Sequence, residues 1–175
     1  MKKFFHLAIV LVIASVFVAC NNDDEDNSAV DKRLLGTWYT NTCELWEYKK
    51  DVLVNHWKDL DNGINRRIYK IINGEETGEY EDCINNEQWW SEITINSNGV
   101  ITGNNYVNEL FSGTLVTSDG VITVTDSSNG EVYQLLYKIN DGILTITSDQ
   151  RKDYDKDGYS YFTITHYQRG NYPGK

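Results

Sequence analysis

The sequence predicts an all-β protein: an antiparallel up-and-down meander of about eight or more short strands that closes into a barrel. Three observations carry that expectation. Apolar and polar residues alternate with period two from Leu34 almost to the end of the chain. Asn-Gly or Asp-Gly pairs stand at 98–99, 119–120, 129–130 and 141–142, the dipeptides favoured by two-residue hairpin turns. Twelve Tyr and five Trp against a single Pro suit pleated, half-buried strands. A meander of this length closes on itself because an open sheet would leave unpaired backbone along its edges.

The first element is a leader. Lys2 and Lys3 precede an almost unbroken apolar run over 4–19, which at about 16 residues is short for a membrane span and suited to a signal peptide. The run ends in Phe17-Val18-Ala19-Cys20. This tetrapeptide resembles the lipobox of bacterial lipoproteins, which implies cleavage after residue 19 and acylation of Cys20. A lipid anchor in the outer membrane is therefore expected. Residues 20–32 follow as an acidic tether: Asn21-Asn22-Asp23-Asp24-Glu25-Asp26-Asn27-Ser28 has no apolar side chain to offset its chain entropy. Its four consecutive acids resemble an export signal for display at the cell surface. A simple solvated spacer is the competing reading.

The net charge is −10, and loss of residues 1–19 removes Lys2 and Lys3 but no acid, leaving the mature chain more negative still. Such a body excludes a nucleic-acid surface, which needs clustered cations, and does not adhere by charge to anionic lipid. The acyl chains must hold it at the membrane. After cleavage about 155 residues remain, enough for one domain with a proper core.

Strands are expected at 35–40, at 43–49 with parts of 52–57, and at 67–72, the last closed by an Asn73-Gly74 hairpin turn. The acidic stretch 75–87 reads as a long loop. Further strands are expected at 90–96, 100–103, 111–117, 121–125, 132–139, 143–147 and 159–169. Within 132–139 the pattern puts Tyr133, Leu135, Tyr137 and Ile139 on one face. The domain is thus expected to occupy 33–170, with 171–175 as a tail.

With the strands laid out, Gly36-Thr37-Trp38 resembles the Gly-x-Trp signature of lipocalins. The stretch 93–99, Ser112-Gly113-Thr114-Leu115, Gly142-Ile143-Leu144-Thr145-Ile146 and Tyr167-Gln168-Arg169 resemble the small lipocalin-like domains of bacterial surface lipoproteins. That resemblance covers most of 33–170. It implies that Trp38 closes one end of the barrel beneath Arg169, and that the barrel holds a small apolar or amphipathic ligand. The alternative is an accessory surface lipoprotein that contacts a protein or glycan through exposed aromatics and the loops 74–88 and 149–158.

Other chemistry is sparse, and an enzyme is not expected. Cys43 and Cys83 are the thiols left once Cys20 is acylated, and outside the cytoplasm a disulfide between them is expected. It would close a loop of about 40 residues and stabilise by roughly 3–4 kcal/mol. Two separate thiols are the alternative. Asp153, Asp155 and Asp157 before Gly158 match the first half of a calcium loop, but the closing acid is replaced by Ile164. The competing reading is a turn rich in Asp. His56 and His166 lie in strand-like stretches without ligand spacing. Trp46, Trp57 and Trp89-Trp90 fit either a barrel mouth or cross-strand packing.

Overall fold

A computed structural model describes residues 29–60, 64–84, 92–104 and 110–171, with only the backbone of Phe111. The described residues form a short 3-10 turn (Lys32–Leu34) and eleven strands. These are β1 (Gly36–Lys49), β2 (Val52–Leu60), β3 (Asn65–Ile72), β4 (Glu75–Ile84), β5 (Glu92–Ile95), β6 (Val100–Asn104), β7 (Leu110–Ser118), β8 (Val121–Asp126), β9 (Val132–Asn140), β10 (Ile143–Asp149) and β11 (Tyr159–Arg169). The sheet order is β11-β10-β9-β8-β7-β6-β5-β1-β2-β3-β4, and β11 also pairs with β1. That extra pairing closes β1 and β5 to β11 into an eight-stranded antiparallel barrel, and β2, β3 and β4 extend from it as a wing.

β1 belongs to both parts. It pairs with β11 from Trp38 to Lys49. Its first residues, Gly36 to Tyr39, pair with β5, and Cys43 to Lys49 pair with β2. A bulge between Thr40 and Thr42 separates the two halves. The two strands expected at 35–40 and 43–49 are therefore one strand, bent where it changes neighbour.

Turn chemistry sets the hairpins. Asn73-Gly74, Asp119-Gly120 and Asp141-Gly142 carry positive φ at both residues and directly join paired strands, as type I′ turns require. Lys50-Asp51 does the same without a glycine, and Lys50 N–H donates to the Gly158 carbonyl at 3.0 Å. At 98–99 and 129–130 the connections are longer, and only the glycine is left-handed.

The acidic stretch expected as a loop is mostly a strand, β4. Its backbone pairs with β3, and its acids meet cations across the ladder: Arg67 with Asp82 at 2.8 Å and Lys70 with Glu79 at 2.6 Å. Every residue of β4 is exposed, which a polar edge strand tolerates and a core strand would not.

Inside the barrel, alternate residues of each strand converge. Trp38, Ile93, Ile95, Ile101, Leu115, Ile122 and Leu144 are buried, with Leu135, Tyr137 and Ile139 packed against them. Each such side chain contributes about 1.5–3 kcal/mol on leaving water. The core sits at the Trp38 end.

Candidate functional site

The two ends of the barrel are built differently. At one end, residues 29–35 lie across the opening. Val30 and Leu34 are buried in the core, and Thr117 N–H donates to the Ala29 carbonyl at 2.8 Å. Residues 29–32, expected in the tether, therefore belong to the domain, because Val30 has apolar surface to bury. Asp31 fixes this segment. Its carboxylate accepts from Arg33 N–H at 2.9 Å and from the Tyr137 hydroxyl at 2.8 Å, and its own N–H donates to Thr117 Oγ1 at 2.8 Å. Hydrogen bonding from the Arg33 guanidinium, opposed by burial and helped by the Arg33 N–H and Tyr137, lowers the Asp31 carboxyl to about 2.

Trp38 fills the space beneath that segment. Its Nε1 donates to the Leu34 carbonyl at 2.7 Å. The Arg169 guanidinium stands 4.3 Å above the indole and donates to the Leu35 and Arg33 carbonyls, both at 2.6 Å. Gly36 has φ of 115°, and a Cβ there would come within 3.1 Å of Arg169 Nη1. Gly36, Trp38 and Arg169 thus meet in one cluster.

Among the described residues the other end is open. Strand register places two rows of side chains on the inward face of β11, β1 and β2: Tyr161–Glu47–Asn55 and, one step deeper, Thr163–Leu45–Trp57. With Gln150 from the β10–β11 connection they line a cavity of about 480 Å³. Leu45 and Trp57 give it an apolar floor, and the outer row gives it a polar rim. Burial, together with the charges of Glu47 and Asp155, raises the Tyr161 phenol above its ordinary value.

One row further in, register aligns Cys43, Asp59, Arg66 and Cys83 across four strands. Asp59 is buried and accepts from Arg66 Nε at 2.7 Å and Nη2 at 3.1 Å, and the same guanidinium lies 4.0 Å over the Trp57 ring. This row corrects the expected disulfide. Both cysteines are free thiols, and three strand spacings, about 14 Å, separate their backbones, twice the reach of a disulfide. Burial raises the Cys43 thiol to about 11, against a weaker pull from its contact with Thr165. Cys83 is exposed.

The outward face carries an aromatic stack. Trp46, His56 and Tyr69 lie face to face at 4.4 and 4.1 Å, flanked by Phe162 and Tyr80. His56 Nε2 lies 3.0 Å from Glu44, whose other oxygen accepts from Lys58 Nζ at 3.0 Å. His56 Nδ1 is 2.9 Å from Glu76 Oε1, within ion-pair distance but without the alignment of a hydrogen bond. His166 bonds Thr145 at 3.0 Å, and burial aided by the Lys58 charge lowers its imidazole below the ordinary value. Neither histidine shares a face with Cys43.

Asp153, Asp155 and Asp157 do not converge on a cation position. Asp155 Oδ1 accepts from Asp157 N–H at 2.9 Å and Tyr159 N–H at 2.8 Å, so its carboxylate serves the turn. Among the described residues no three His, Cys, Asp or Glu side chains form a group that could hold a metal ion. Cys20, Trp89, Trp90 and the leader lie outside the described residues. Of the residues reached from sequence, the sealing cluster is assembled and Trp57 lines the mouth. The mouth residues Leu45, Glu47, Asn55 and Tyr161 were not singled out at all, because nothing local marks them.

No family model matches this chain, and no curated protein does. Among solved structures it is similar to fatty-acid-binding protein 1 of Echinococcus granulosus. The identity is 9%, the TM-score 0.28, and the alignment covers 81% of this chain and 100% of that one. The barrel described here stands on its own strand pairing.

Proposed function

We propose that this chain is a lipid-anchored binding module that takes a small amphipathic ligand at the mouth opposite Trp38. One observation carries the reading: the barrel is filled at one end and holds a cavity of about 480 Å³ at the other, apolar at its floor and polar at its rim. Small-molecule sites have this make-up. The packed base leaves room for a compact ligand near the rim rather than an acyl chain running the length of the barrel. Binding rather than catalysis fits the groups present, since the Cys43 thiol is held protonated and both histidines face the other way.

Acylation of Cys20 would place the protein in the outer membrane, and the acidic tether would carry it to the cell surface. Labelling with an alkyne fatty acid tests the anchor: wild type should take up label and Cys20→Ala should not. For the ligand, an amphiphile panel read by Trp fluorescence and melting temperature should give shifts that Thr163→Phe abolishes while the fold survives. A panel without any shift sinks the reading.

A second reading rests on the wing. Val52, Val54, Ile72, Tyr80 and Ile84 are all more than 40% exposed there, and among the described residues β4 is the last strand on its side of the sheet. A protein or glycan partner could use that surface. Cross-linking on intact cells with and without Tyr80→Ser separates this reading from the first.

A further inference from the structure

Resting on the mouth-site reading, we infer that the ligand is an organic cation, an ammonium or guanidinium group carried on a small apolar body. Among the described residues Glu47 is the one acidic side chain in the lining, and no ammonium or guanidinium pairs with it. The cations that could neutralise it are engaged elsewhere. Lys49, two residues along on the same face, donates to the Tyr159 hydroxyl at 3.1 Å and lies 4.6 Å over that ring. Arg66 is held by Asp59 in a two-point contact.

The surroundings suit such a cation. Tyr161 and Asn55 flank Glu47 in register on its two neighbouring strands, placing a phenol and an amide beside the carboxylate. Leu45 and Trp57 form the apolar floor on which the body of the ligand would rest. Asp155 adds a second negative charge near Tyr161. An aromatic ring beside a carboxylate at the rim of an apolar-floored pocket is an arrangement that selects cations over neutral or anionic isosteres. The net charge of −10 draws cations toward the whole body as well. An anion would meet Glu47 directly and would lose affinity, and a neutral polyol would gain only hydrogen bonds.

The test is calorimetric titration of the full chain with three amphiphiles of one tail length: hexyltrimethylammonium, hexanesulfonate and hexyl glucoside. The ammonium should bind at least about tenfold more tightly than either of the others, and its advantage should shrink as salt rises. Glu47→Gln should bring it to the level of the glucoside, while Tyr161→Phe, which keeps the ring, should retain the preference. Equal binding of the three, tighter binding of the sulfonate, or an unchanged preference in Glu47→Gln overturns the charge assignment and leaves a mouth site of other specificity. No binding by any of the three overturns the mouth site itself. A melting curve for each variant separates loss of the site from loss of the fold.

Discussion

The two ends of the barrel use the same strands and reach opposite results. At the sealed end the polar groups pair with one another: Trp38 donates to Leu34, Arg169 to Leu35 and Arg33, and Asp31 accepts from Arg33 and Tyr137. At the mouth, Glu47 has no cation partner among the described residues, and Leu45 and Trp57 face a cavity. A fully paired end stabilises and excludes ligands. An end whose carboxylate is met by a phenol but by no described cation, over an apolar floor, is what binding needs, and it contributes less to the fold. The contrast teaches where stability and recognition divide along one set of strands.

The largest expected effect is at the sealed end. Trp38→Ala removes a fully buried side chain and should cost about 3–5 kcal/mol, measured by urea denaturation. A loss below 1 kcal/mol, on the order of a surface change, would break the contrast. Next comes the layer between the ends. Asp59→Asn leaves the Arg66 guanidinium without its counter-ion in a buried setting and should cost about 3 kcal/mol, with the wing, β2 to β4, loosening first in hydrogen exchange.

Acid should act next, and again at the sealed end. Asp31 titrates at about 2 in the folded chain against an ordinary value of 3.8. A depressed carboxyl contributes its stability above the ordinary value and loses it as pH falls toward the folded one. Discounted for the exposure of Arg33, about 1–2 kcal/mol should disappear between pH 4 and pH 2. Asp31→Asn should flatten that part of the pH profile; an unchanged profile would show that the clamp contributes nothing.

The smallest effect is expected at Cys83. Cys83→Ser should change stability by less than about 0.5 kcal/mol, and a reducing agent should change nothing. Maleimide should label Cys83 in the native protein and Cys43 only after unfolding. A linked Cys43–Cys83 peptide in mass spectrometry would restore the bridge and redraw the wing.

Much of the meander was legible because it is local. Period-two alternation and the two-residue turns Asp119-Gly120 and Asp141-Gly142 bring β7 to β11 within one or two residues of their observed ends. The region 41–90 was harder for identifiable reasons. Lys50-Asp51 makes its tight turn without glycine, and β4 is a strand although its residues favour solvent. The sealing cluster was legible only through the resemblance of Gly36-Thr37-Trp38 to a known signature; spacing alone does not bring residue 169 over residue 38.

The mouth shows most clearly what alternation leaves open. Counting by twos from Trp38 turns Glu44 and Trp46 inward. The bulge after Thr40 adds one residue, and Leu45 and Glu47 face the cavity instead, with Trp46 on the outer stack. By itself, then, the sequence determined the fold class, the hairpin order and the acidic character, because turn propensity and alternation act between near neighbours. Only the tertiary structure decided which face of β1 lines the cavity, that β5 rather than β4 completes the barrel, and that the two thiols stay apart. Each of these depends on which strand lies beside which, and that is a property of the closed sheet.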